Sequence, residues 1–301
     1  MTFHVDNPYL NEMADDTLYH FGISKSQFDF KKMFNDVKFV CAGGSSHRFQ
    51  MYATLFSQKS GFPLSENISQ SDRFCLFKTG PVLWANHGMG VPSLSIMLNE
   101  MFKLLHYAQV TDVTFIRIGT SGGIGIEPGT VVVTNGAINS QLREAYDLDI
   151  NGVPTSFPCQ LDQDLADELY KTADRLGYMA ATGKTLCAND FYEGQMRLDG
   201  CFYQGEAEEK FKFLQKISQL GVKNIEMECT GFAAMTQRAG VKAAIVCVAL
   251  VNRMEGDQVK ISKELYKEFE LRPFNIVTKF ILDTIGTPMN GHAAKVPKLV
   301  E

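Results

Sequence analysis

Several short stretches of this 301-residue chain carry side chains able to do chemistry. Gly43-Gly44-Ser45-Ser46-His47-Arg48 follows an apolar run and precedes a helical pattern. Glycine lets backbone N–H groups approach an anion, and a helix N-terminus adds a favourable dipole. Arg48 can then close on a phosphate as a forked donor. The stretch lacks the Gly-Lys-Ser/Thr of a Walker A loop and the Gly-x-Gly-x-x-Gly of a dinucleotide fingerprint, and an ordinary strand-to-helix turn would read the same way. Arg117-Ile118-Gly119-Thr120-Ser121-Gly122-Gly123 ends another apolar run. A buried arginine is expensive unless paired, and ligands of open α/β sheets bind at the C-terminal ends of strands. The alternatives are a phosphate or sugar contact and a structural arginine holding a loop carbonyl.

Phe191-Tyr192-Glu193-Gly194-Gln195-Met196-Arg197 is a different kind of motif. In an extended segment Gln195 and Arg197 point to one side. An amide and a guanidinium suit a flat heterocycle with carbonyls flanking an N–H, such as uracil, with Phe191 stacked on it. The plain alternative is a solvated surface loop. In Asn224-Ile225-Glu226-Met227-Glu228 the two carboxylates share one face of a strand end. They can bind sugar hydroxyls or a metal, act as acid and base, or cap the next helix. Paired carboxylates also suit a glycoside hydrolase, but the arginines favour phosphate over water as the attacking group. Arg253, in Leu250-Val251-Asn252-Arg253, either supports the heterocycle site or is a surface charge. His20, in an aromatic N-terminal segment, reads alone as structural.

The elements that must position these residues alternate between short apolar runs and helical patterns, which predicts an α/β fold. Strands are expected over 37–42, 74–78, 82–86, 113–118, 130–135 and 243–252, with a short strand end over 225–228. The glycine-rich run 119–123 is expected to break the fourth of these. Segment 179–186 reads as extended. Helices are expected from about 47, then over 92–108, 161–176, 206–220, 231–238 and 261–285, the last interrupted near Pro273. No linker divides the chain, so one domain over 1–301 is expected, with 286–301 a loose tail.

Composition narrows the function classes. Apolar residues are 45% and charged residues 21%, with a formal net charge of −5. That balance argues against nucleic-acid binding, which usually needs a basic surface. No stretch suits a membrane span, and the N-terminus lacks the pattern of a secretory signal. Seven scattered cysteines without a Cys-x-x-Cys spacing predict free thiols in a reducing cytoplasm and neither a disulfide framework nor a metal site.

Taken together and in order, Arg117–Gly123, Asp190–Gly200 and Asn224–Glu228 resemble the uridine phosphorylases of the vertebrate-type branch of the nucleoside phosphorylase-I superfamily. The resemblance runs from about residue 15 to 285. It implies a single-domain, three-layer αβα fold with a central mixed twisted sheet. The implied reaction is reversible phosphorolysis of uridine to uracil and ribose 1-phosphate, with inorganic phosphate as co-substrate and no cofactor or metal. By matching motifs, Gly44, Arg48, Arg117 and Thr120 would bind phosphate, joined by Arg73 from a second subunit. Met227 and Glu228 would hold the ribose, with His20 reaching its 5′-hydroxyl from the partner. Gln195 and Arg197 would read uracil, with Phe191 on the base, Arg253 near O4, and Leu250 and Val251 lining the pocket. Gln195, Arg197, Arg117 and Glu228 would be the catalytic set. Residues supplied in trans imply a homodimer. Purine-specific relatives carry Ser-Asp where this chain has Val251-Asn252, and the bacterial branch has a potassium-binding glutamate where this chain has Phe74. The first departure favours a pyrimidine enzyme, and the second implies no such ion.

Overall fold

The structure, a computed structural model, describes residues 2–288. The N-terminal part holds a helical turn α1 (Tyr9–Glu12), the paired strands β1 (Thr17–Leu18) and β2 (Ile23–Ser24), and a short helix α2 (Phe30–Phe34). The chain then alternates: β3 (Phe39–Gly43), α3 (Ser46–Ser60), β4 (Leu76–Thr79), β5 (Val82–Asn86), α4 (Val91–Tyr107), β6 (Thr114–Gly123) and β7 (Val131–Asn139). A hairpin follows, β8 (Ala145–Ile150) and β9 (Val153–Pro158), then α5 (Gln163–Arg175), β10 (Ala180–Cys187) and α6 (Ala207–Gln219). The last elements are β11 (Val222–Glu226), α7 (Cys229–Arg238), β12 (Lys242–Asn252) and α8 (Lys263–Thr284).

Eight strands form one mixed sheet in the order β11-β10-β7-β12-β6-β3-β5-β4. Its central strands are apolar on both faces, as strands covered on both sides must be. In β3, Phe39 and Cys41 face one helical layer while Val40 and Ala42 face the other. In β12, Ala244, Val246, Val248 and Leu250 join the first side, and Ala243, Ile245 and Cys247 the second. Residues of α3, α5 and α8 cover the first face, those of α2, α4 and α7 the second. This is the expected three-layer αβα arrangement. Helix α6 closes a smaller core against β10 and β11 through Leu214 and Ile217.

Three expectations are corrected. The glycine-rich run does not break β6, which continues to Gly123 because partners accept it on both sides. Thr120 and Ser121 pair with Val248 and Ala249 of β12, and Gly123 pairs with Asn224 of β11. Pro273 does not interrupt α8. The proline lies on the buried face, and Tyr52, stacked on Phe274 with ring centroids 4.6 Å apart, donates its hydroxyl to the Glu270 carbonyl at 2.6 Å. That packing outweighs the local cost of proline. The segment 191–197 is not extended: Glu193–Gln195 form a 3₁₀ turn, ended by Met196 at φ 54°. The β8–β9 hairpin was not anticipated. Its turn is Asn151-Gly152, with φ 53° and 75°, a strong hairpin signal in sequence. Among the described residues no helix is long and apolar enough to cross a membrane. The expected loose tail lies outside the described residues from 289 onward.

Candidate functional site

The sheet carries its chemistry at the C-terminal ends of β3, β5, β6, β11 and β12. Arg117 lies inside β6, paired in register with Ala42 of β3 and Ile245 of β12, and is only 3% exposed. A cation there needs anions, and the end of β11 and the start of α7 supply them. Arg117 Nη2 lies 2.9 Å from Glu226 Oε2 and also bonds Glu228 Oε2, while Nη1 donates to Cys247 Sγ at 3.1 Å. Burial opposes the Arg117 charge, but the two carboxylates outweigh it and hold its pKa well above the ordinary value.

The two carboxylates are not equivalent. Glu226 accepts the backbone N–H groups of Glu228 and Cys229, so it caps α7, as one of its alternative readings required. Burial pushes its pKa up, with Arg117 opposing and Glu228 adding to the rise. Glu228 accepts the N–H of Gly90 at 2.6 Å, at the N-terminus of α4. Burial would raise it too, but Arg117, His87 and the Gly90 N–H together hold it below the usual range. Glu228 thus faces a helix N-terminus, which favours negative charge.

The turn after β3 closes over this centre. Ser45 caps α3 by accepting the Arg48 N–H, and the Gly43 carbonyl accepts the His87 N–H at 2.7 Å. Gly44 leaves room for the Gly88 carbonyl, which a Cβ would meet at 3.1 Å. The Arg48 guanidinium is held at 2.5 Å by Glu270 of α8, a partner that sequence reading missed. Thr120 is half-buried three residues past Arg117 on β6. His87 was also missed. It is fully buried, its Nδ1 meets the Gly88 carbonyl at 3.0 Å, and burial with the nearby Arg117 lowers its pKa to about 4. Two buried polar atoms have no protein partner here, Arg117 Nε and His87 Nε2.

A second cluster is built where β12 leaves the sheet. Gln195 is 4% exposed, and Arg253 donates to its side-chain oxygen at 3.3 Å and to its backbone carbonyl at 2.7 Å. Arg253 packs its stem on Gly122, where a Cβ would stand 2.9 Å from Cγ. Similarly, a Cβ on Gly119 would stand 3.0 Å from both Arg117 Nη1 and Cys247 Sγ. Arg197 lies near this cluster but bonds Asp199, and neither Gln195 nor Arg253. Its guanidinium forks onto Asp199 at 2.9 and 2.8 Å and lies 4.5 Å over the Phe191 ring. Leu250 is buried, while Val251 and Met227 are half-buried beside the two clusters.

His20 and Arg73 lie elsewhere on the chain. Glu100 of α4 accepts the backbone N–H of His20 and meets its Nδ1 at 2.7 Å. Glu100 is nearly three turns along α4 from Gly90, so His20 is anchored roughly 15 Å from the Glu228 contact. Arg73 is exposed, with Asp72 3.9 Å away, and its neighbour Phe74 packs on His20 at 6.0 Å. These two residues share one surface, and their own chain does not bring them to Arg117 and Glu228.

Among the described residues, three ligand-type atoms lie together at Cys187, Glu226 and Cys229, within 4.8 Å of one another. Glu226 is already bonded to Arg117 and to two backbone N–H groups, and burial pushes the Cys229 thiol well up. A protonated thiol and an occupied carboxylate make a poor metal site.

Similarity to known proteins agrees with this arrangement. The family model described as phosphorylase superfamily matches residues 38–282. The uridine and thymidine phosphorylase of Caenorhabditis elegans is 55% identical, over 90% of this chain and 92% of that protein. Uridine phosphorylase 2 of Homo sapiens is 43% identical over 94% and 91% respectively. A relative from Schistosoma mansoni named inactive uridine phosphorylase B is 40% identical over 91% and 94%. The crystal structure of uridine phosphorylase from Schistosoma mansoni in complex with uracil superposes with a TM-score of 0.90, at 43% identity, covering 93% of this chain and 99% of that one. With the family model matched across most of its length and relatives this close over nine-tenths of it, the chain belongs to the uridine phosphorylases of the phosphorylase superfamily.

Proposed function

We propose that this protein is a cytoplasmic homodimeric enzyme that cleaves uridine with inorganic phosphate in nucleoside salvage and breakdown, yielding uracil and ribose 1-phosphate, and that it runs the same reaction in reverse. The observation that carries the reading is the buried Arg117–Glu228 pair, an anion-binding cation beside a hydroxyl-binding carboxylate. Phosphate, held by Arg117, Arg48, Thr120 and the Gly44 N–H, attacks C1′ as the C1′–N1 bond breaks. Glu228 accepts the ribose hydroxyls and steadies the sugar while it carries positive charge, with Met227 packed against it. The bonding pair leaves with the base, and Gln195, Arg197 and Arg253 stabilise the charge on its carbonyls. Phe191, Leu250 and Val251 line the base pocket. The protein groups need no cofactor for these steps.

His20 and Arg73 complete the site from the partner subunit. The anchoring of His20 by Glu100, away from its own Glu228, supports this. Exposed Tyr19 beside His20 and exposed Met89 beside Gly90 give a second copy apolar surface to cover. Seven free cysteines support a reducing compartment.

A second reading, binding without turnover, is favoured by the Schistosoma mansoni relative named as inactive. One assay separates them: uracil and ribose 1-phosphate released from uridine, with and without phosphate. Phosphate-dependent release of both supports the enzyme. Uridine binding without release supports the second reading, and release of free ribose without phosphate overturns phosphorolysis.

A further inference from the structure

Beneath Gln195 and Arg253 lies a set of charges that the reaction described above does not use. Asp257 follows β12 and is buried. Its Oδ1 accepts Arg253 Nε at 2.8 Å, and its Oδ2 accepts the Leu198 N–H at 2.9 Å. Those contacts alone aim Arg253 and tie down the loop that carries Gln195 and Arg197. Yet Oδ1 also accepts the ammonium of Lys210, from α6, at 2.8 Å. Lys210 is 1% exposed, as is Arg253.

This second cation is costly. Lysine is almost never fully buried unless paired, and each buried ion carries a desolvation penalty of several kcal/mol. Asp257 was already neutralised by Arg253, so Lys210 leaves the trio with one net positive charge. The neighbouring ion pair does not cancel it, because Arg197 and Asp199 neutralise each other. Burial lowers the Arg253 pKa, with Asp257 opposing, so positive charge is held here against its own desolvation. The surplus opens in one direction: both Nη groups of Arg253 bond Gln195, the residue that faces the base in the reading above.

We propose that Lys210 is a positioning residue for leaving-group departure: through Asp257 and Arg253 it keeps one unneutralised positive charge behind Gln195, matched to the pyrimidine anion that forms as the C1′–N1 bond breaks. The inference rests on the uridine reading. Preorganised charge in a dry site acts where charge develops in the transition state, so its effect scales with how much negative charge the departing ring must carry. Fluorine at C5 of the ring withdraws that charge and reduces the need for help.

The test compares uridine with 5-fluorouridine at saturating phosphate, in wild type, Lys210→Met and Lys210→Arg. Lys210→Met should lower kcat for uridine on the order of tenfold, less than removal of a direct donor. Its loss on 5-fluorouridine should be smaller by about threefold or more, with the phosphate KM within about twofold of wild type. Lys210→Arg should restore the wild-type ratio. Equal losses on both substrates, or no loss on either, overturn the proposal, because a merely structural lysine does not sense the leaving group. An insoluble Lys210→Met hands the comparison to Lys210→Gln, which keeps a donor without the charge. Wild-type protein without phosphate-dependent cleavage refutes the uridine reading itself and is seen before any variant is made.

Discussion

Arg117 bonds two buried carboxylates at once, and its removal has a consequence that depends on pH. Arg117→Met keeps most of the side-chain volume and deletes the charge. Removing one partner of a buried ion pair typically costs about 3–5 kcal/mol. Unfolding entropy is about 2.1 cal/mol/K per residue, roughly 0.6 kcal/mol/K for this chain, so the melting temperature should fall by about 5–8 °C near neutral pH. Without Arg117, burial and mutual repulsion push both Glu226 and Glu228 up, since Arg117 opposed the rise in each. A carboxyl raised in the folded state is stabilising below its unfolded pKa, and that contribution is lost as pH rises through its folded value. The deficit should therefore be greatest at neutral to alkaline pH and shrink on acidification. His87 works in the same direction, because Arg117 also helps to keep it unprotonated. Thermal melts of wild type and variant at one scan rate, from about pH 8 down to about pH 5, would reveal a narrowing gap. A gap that stays constant with pH, or a neutral-pH shift below about 2 °C, would refute the charge reasoning.

Other outcomes follow from the same geometry. Gln195→Leu should cut kcat/KM for uridine about 10²–10³-fold while phosphate still protects the protein against heat; turnover near wild type would remove Gln195 from base recognition. Mixing inactive His20→Ala with inactive Arg117→Ala subunits should restore roughly a quarter of wild-type activity, since half the dimers then hold one complete site; no recovery after verified subunit exchange would argue against sharing in trans. His87 is held near a pKa of about 4 against an ordinary 6.5, so stability present above the upper value is lost as pH falls through the lower one. Melts of His87→Gln should show a flatter acid limb than wild type, and parallel acid limbs would contradict the assignment.

The strand ends were legible because their signals are local. An arginine and a carboxylate pair each terminate an apolar run, and sheet geometry brings such ends together. Their bonding to each other was not legible, since Arg117 and Glu228 are 111 residues apart. The partners Glu270, Glu100, Asp257 and Lys210 were invisible for the same reason. Each is an ordinary charge on a helix or loop until the tertiary fold buries it. Lys210 of α6 and Asp257 of the loop after β12 meet across 47 residues. The 191–197 segment failed for a local reason: alternation assumes a strand, and a residue at φ 54° ends that assumption. Pro273 failed in the opposite sense, because packing against Tyr52 and Phe274 overrode a sound local rule.

Strand β6 lacks two methyl groups that matter. At Gly119 the missing carbon would press on Arg117, and at Gly122 on Arg253. The strand thus serves as a gauge block, setting the clearance around Arg117 at one mark and around Arg253 at another. A workshop tolerance finer than one carbon atom cannot be relaxed at one mark without misaligning a cation. Anyone widening the proposed base pocket for a bulkier pyrimidine would do better to recut half-buried Val251, and leave the gauge untouched.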